Sequence, residues 1–188
     1  MRKSLITAVV TASLFTLTAC GNEDDTDTAG GHNDADVTFA QEMIPHHQQA
    51  IEMADLAESR AESQEVKDLA TDIEAAQGPE IETLTGWLES WGEDVPDEGM
   101  SGMDHGDMSS DDMGGMMTED EMADLEAASG AEFDQMFLTM MIEHHEGAIE
   151  MAKTEQSEGE FPDAVDMAKE IETTQAEEIQ TMQDLLKS

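Results

Sequence analysis

Met43-Ile44-Pro45-His46-His47-Gln48-Gln49-Ala50-Ile51-Glu52-Met53-Ala54 returns as Met141-Ile142-Glu143-His144-His145-Glu146-Gly147-Ala148-Ile149-Glu150-Met151-Ala152. Extended outward at an offset of about 98 residues, Asp36–Leu88 matches Asp134–Leu186 without a gap. Roughly two-fifths of the paired positions are identical, more than composition alone produces. The chain is therefore built from one unit used twice.

Each unit reads as two helices. In the first, Phe39, Met43, His46/His47, Ala50 and Met53/Ala54 recur at three- and four-residue spacing, the pattern of an amphipathic helix. A break follows near Ser59–Ser63, with Ser63 as N-cap. Val66, Leu69, Ile73, Ile81, Leu84 and Leu88 then form the stripe of a second helix. The repeat predicts helices from about Gly130 to Gln156 and from Pro162 to Lys187, the proline suiting a first turn. Thr118 and Glu121 predict a capping box opening a short extra helix over Glu119–Ala128. Tyrosine is absent and no period of two is visible, so strands are not expected. The expected fold is all-α: a four-helix bundle of two repeated hairpins over residues 36–188.

The flanks are of different character. Arg2 and Lys3 precede an apolar run over Leu5–Leu17 that is too short to span a bilayer. Leu17-Thr18-Ala19-Cys20-Gly21 resembles a bacterial lipoprotein box, so residues 1–20 read as a signal with its box, which implies cleavage before Cys20 and lipidation of Cys20. Residues 21–35 are small, polar and acidic and are expected to be a flexible tether. With one cysteine, no disulfide can form within the chain. The formal charge of −39, about −41 once Arg2 and Lys3 leave with the signal, excludes nucleic acid and charge-driven binding to anionic membranes. Most of these carboxylates are read as a solvated surface.

Helical arithmetic points the histidines inward. At 100° per residue with His46 at zero, Phe39, Ala50, Met43 and His47 fall at about 20°, 40°, 60° and 100°, within the apolar stripe. The same holds for Phe137, Met141, His144, His145 and Ala148, whereas Glu52 and Glu150 face water. Met53 and Met151 read as core. On the second helix of each unit, Gln77 and Glu80 lie within the stripe, and Gln175 and Glu178 repeat them. A carboxylate or amide facing a histidine orients the ring and raises its basicity. Without such partners or a ligand, each buried imidazole costs roughly 1–3 kcal/mol.

Imidazole beside thioether is a soft ligand set that suits copper, Cu(I) before Cu(II). Zinc is the rival, because histidine with Glu80 or Glu178 would suit it. Di-iron bundles use Glu three residues before His, and here Met43 and Ile44 stand in those places. Pro45 removes a helical hydrogen bond beside His46, so a bend is expected there and the two sites are expected to be unequal. Between the hairpins, about Gly92–Met117 is rich in glycine, serine, aspartate and methionine. Its Met103-Asp104-His105-Gly106-Asp107-Met108 resembles the Met-Asp-His-x-x-Met repeats of extracytoplasmic copper-resistance proteins. Met100, Met103, His105, Met108, Met113, Met116 and Met117 are thus expected to form a flexible metal-collecting segment.

Met43-Ile44-Pro45-His46-His47 with Ala50-Ile51-Glu52-Met53-Ala54, and Met141-Ile142-x-His144-His145-Glu146-Gly147-Ala148, resemble domain-of-unknown-function family 305. The resemblance covers nearly all of the chain after the tether. It implies a ferritin-like four-helix bundle outside the cytoplasm, in a family that includes copper-binding proteins with methionine and histidine ligands. Carried over residue by residue, Met43, His46, His47, Met141, His144 and His145 are the ligand candidates.

The expected function is that of a lipid-anchored extracytoplasmic protein binding copper for buffering, resistance or delivery to an envelope copper-handling partner. Two alternatives stand beside it: a metal-dependent oxidase within the bundle, and a metal-free envelope interaction module. No nucleophile–base motif or phosphate loop supports hydrolysis or nucleotide chemistry.

Overall fold

Asn33 begins the first helix earlier than the stripe alone indicates. Its side-chain oxygen accepts from the amides of Ala35 and Asp36 at 2.7 and 3.2 Å, and the Asp36 carboxylate accepts from the Asn33 amide at 2.6 Å. This capping box draws Asp34 and Ala35, expected in the tether, into the helix. The computed structural model describes residues 31–96 and 114–188. Cys20, the rest of the tether, and Met100, Met103, His105, Met108 and Met113 lie outside them.

The described residues form α1 (Asp34–Arg60), α2 (Gln64–Trp91), α3 (Glu119–Ala127), α4 (Ala131–Glu158) and α5 (Pro162–Leu185), with no strand among them. Ser63 caps α2, the Thr118–Glu121 box opens α3, and Pro162 sits in the first turn of α5, as the sequence predicts. α1 continues as one helix through Pro45, and α2 through Pro79.

α1 packs on α2, α4 on α5, and the two hairpins join through α1 and α4. Asn33 Nδ2 donates to the Glu158 carbonyl at 2.8 Å, and at the other end the Gly130 amide donates to the Arg60 carbonyl at 2.8 Å. The central helices are therefore antiparallel. Reciprocal clamps lock the ends. Asp36 accepts from the Glu160 and Phe161 amides in the α4–α5 turn, while Asp134, its counterpart in the repeat, accepts from Glu62 and Ser63 in the α1–α2 turn.

The apolar core falls into two parts. One contains Phe39, Met43 and Ile44 of α1 with Leu84, Leu88, Ala148, Ala152 and Ile171. The other contains Ala50, Met53 and Ala57 of α1 with Ile73, Leu125, Phe133, Phe137, Met141 and Met182. Along both α1 and α4, the residues between these parts are the histidines. No helix among the described residues is long and apolar enough to cross a membrane.

Candidate metal centre

His46, His47, His144 and His145 are all fully buried. The two pairs meet rather than forming separate sites: the His46 and His144 rings lie 3.8 Å apart between centroids, tilted by 40°. Because α1 and α4 cross antiparallel at this level, each helix brings its own pair to the same layer. Met43 belongs to the core on one side of the layer and Met141 to the core on the other, both without exposure.

The outer members of each pair are held by carboxylates. His47 Nε2 lies 2.7 Å from Glu80, and His145 Nε2 lies 2.7 Å from Glu178. A carboxylate oxygen accepts, so each ring donates from Nε2 and turns Nδ1 away from the carboxylate. Neither Nδ1 has a hydrogen-bond partner. Glu80 and Glu178 each face a histidine, and the matching 2.7 Å distances repeat the contact across the duplication.

The inner pair has less. Both nitrogens of His46 and both of His144 are unpartnered, as are both amide atoms of Gln77 and the amide oxygen of Gln175. Gln77 and Gln175 are both buried, but neither closes a bond to a histidine. A polar layer satisfied by its own hydrogen bonds is therefore not what the fold builds.

Protonation does not relieve it. Burial first, then the neighbouring His47, push the His46 pKa down to about 3, although the Gly114 carbonyl beside the ring works the other way. Burial, with His46 next, holds His144 well below the ordinary histidine range. Two imidazolium ions this close in a buried layer would repel each other. His46 and His144 thus present neutral rings with free lone pairs, donors that fit a soft metal cation. Among the described residues, no three His, Cys, Asp or Glu side chains converge closely enough to hold a metal alone.

The methionine-rich connection ends differently from expectation. Met116 is half-buried, and Met117 is buried in the core against α1, α3 and α4, so flexibility does not extend to Met117. The cause is Gln49, whose amide pairs with both the amide and the carbonyl of Met117, at 2.7 and 2.8 Å. Met53 is core as read, and Met151 is half-buried at its edge.

Sequence reasoning missed Glu155. It is buried against Asp36, and burial first, then that carboxylate, push its pKa up to about 8. Burial tends to raise Asp36 too, but Glu155 and the amides of Asn33, Phe161 and Glu160 outweigh it and lower its pKa. The repeat holds a signal for this, because Ala57 stands where Glu155 does and only one copy carries an acid on that stripe.

A duplicated hairpin with a histidine layer between buried thioethers places the chain in a known class. The family described as "Domain of unknown function (DUF305)" matches residues 36–186, and the chain belongs to it. Among solved structures, a putative secreted DUF305 protein from Streptomyces coelicolor is 35% identical with a TM-score of 0.71, covering 81% of this chain and 90% of that one. A DUF305 fragment from Deinococcus radiodurans is 29% identical, TM-score 0.72, covering 83% and 97%. CopM in its Cu(II)-bound form is 33% identical, TM-score 0.67, covering 81% and 95%; CopM has also been solved with Cu(I) and with silver. No match was found among curated proteins.

Proposed function

We propose that the protein binds copper, Cu(I) before Cu(II), in the histidine layer, and that it buffers the ion or hands it on outside the cytoplasm. Nitrogen would come from His46 and His144 or from Nδ1 of His47 and His145, no three of them at one ion, and sulfur from Met43 and Met141. One observation carries this reading: the inner histidines meet at 3.8 Å with every ring nitrogen unpartnered. Neutral imidazole and thioether are soft donors, and a monovalent soft cation adds little charge to a buried site. Kinship with CopM, solved with Cu(I) and Cu(II), supports the same choice. The carboxylates are engaged in orienting His47 and His145, which weakens the case for zinc.

The placement outside the cytoplasm rests on the leader-like Arg2–Leu17 run, and membrane anchoring on Cys20. The secreted description of the Streptomyces relative agrees with the former. Met100, Met103, His105, Met108 and Met113 would gather the ion loosely, several weak sites raising its local concentration.

The test is a titration of the soluble chain with Cu(I), Cu(II) and Zn(II) against competing chelators. It is repeated with His46 and His144 both replaced by alanine, and separately without residues 99–113. Tight Cu(I) binding lost in the first variant and kept in the second supports the layer. Unchanged affinity in the first variant would sink it.

A further inference from the structure

Gly114–Met117 runs from Gly147 of α4 to Gln49 of α1, with the Gly114 carbonyl beside His46. At one end it lies against Gly147, where α4 presents no side chain, and a methyl group there would overlap the Gly114 carbonyl. Gly115 has φ +87, and a Cβ on it would stand 2.6 Å from the Glu143 carbonyl, so only glycine passes at this point. At the other end the Gln49 side chain grips the Met117 backbone through donor and acceptor together, and the Met117 side chain is sunk in the core. At the Gly147 end the Gly114 carbonyl also sits beside the His46 ring.

Gln49 and Gly147 occupy the same place in the two repeats, three residues beyond His46 and His144. Because α1 and α4 run antiparallel, these positions lie on opposite sides of the histidine pair. Four residues anchored at both therefore run diagonally past the pair. One copy of the position has become a clamp and the other a notch.

We infer that Gly114–Met117 is a strap that shields His46 and His144, and that its release from Gly147 and Gln49 is the step that admits and frees the metal ion. The identity of the ion rests on the copper reading; the shielding does not. A competing route exists on the far side. The groove lined by Ala76, Glu80, Lys169, Glu170, Thr173 and Thr174 reaches the carboxylate that holds His47.

The test uses the soluble chain with Gly147→Ala and, separately, Gln49→Leu. The first fills the notch with a residue that favours helix; the second removes the clamp without touching α4. In metal-free protein, the hydrogen-exchange rate of the Met117 amide reports strap release. Acylation of His46 and His144 by diethyl pyrocarbonate, read by peptide mass spectrometry, reports shielding. In Cu(I)-loaded protein, transfer to a strong Cu(I) chelator reports exit. Both variants should accelerate all three on the order of tenfold, the worth of one or two net hydrogen bonds. Fast Met117 exchange with wild-type acylation of both histidines overturns the inference and favours the Glu80 groove. Wild-type Met117 exchange in both variants overturns it as well, since neither contact then anchors the strap. Faster acylation with no Cu(I) bound by any form removes the copper reading and leaves the strap standing.

Discussion

The two hairpins agree where the chain meets the histidine layer and disagree around it. His46/His47 and His144/His145, Gln77/Glu80 and Gln175/Glu178, and Asp36 and Asp134 are identical pairs, and the two histidine–glutamate contacts have the same length. Gln49 against Gly147, Ala57 against Glu155, and Pro45 against Glu143 have parted. Identity is thus kept by the layer and the clamps that orient α1 against α4. Divergence falls where only one copy has something to touch: the strap on one face, and the carboxyl pair at one end.

Replacing His46 and His144 together is the strongest way to break the symmetric half of this comparison. Cu(I) affinity should fall by more than about a hundredfold in chelator competition, since both central ligands go. The single variants should lose similar amounts, and a lopsided result would show that Pro45 or the strap makes the halves unequal.

Asp36→Ala should come next. Three amides lose their acceptor, and urea unfolding should register a loss of about 2 kcal/mol. Asp134→Ala removes an acceptor from two amides in a more exposed turn and should cost about 1 kcal/mol. Equal losses would argue that burial at the Asp36 end contributes nothing.

Glu80→Gln and Glu178→Gln each exchange the carboxylate beside a histidine for an amide. Each should weaken Cu(I) binding about tenfold, and by the same factor, because the two contacts have the same length. A difference above about threefold between them would show that the layer is used asymmetrically.

The smallest effect concerns Glu155, which has no counterpart in the first hairpin. With its pKa raised to about 8 in the folded chain against 4.5 ordinarily, it keeps a proton between those values that the unfolded chain has lost. Its contribution is full below pH 4.5 and is lost as pH rises through about 8. His46, lowered to about 3 from 6.5, acts in the opposite sense, and stability gained from it grows as pH rises through that window. Denaturation midpoints should therefore peak near pH 6.5 and decline toward pH 8. Glu155→Gln should flatten the decline and leave the variant more stable than its parent above pH 8, by on the order of 1 kcal/mol. A decline that survives the substitution assigns it to another group.

Periodicity and self-similarity made much of this legible. The helices, the Ser63 cap, the Thr118–Glu121 box and the inward histidines follow from local spacing, and Glu80 and Glu178 follow from facing stripes. The meeting of the two pairs does not, because the 3.8 Å contact depends on how α1 crosses α4. Gly114 and Gly115 read as linker because glycine marks both a free chain and a close approach, and only Gly147 across the gap tells them apart. Asp36 and Asp134 read as surface acids until the turn amides of the other hairpin are placed over them.

The reciprocal clamps and the antiparallel α1–α4 contact have the form of an isologous interface, in which each half offers the other what it receives. One hairpin alone would carry half of every such contact and could complete the layer only by pairing with its own copy. The chain is in that sense a homodimer whose subunits are tied together through the stretch from α2 to α4. A true homodimer must place the same residue on both sides of its axis. The tie lifts that constraint, and so one position can be Gln49 on one side and Gly147 on the other.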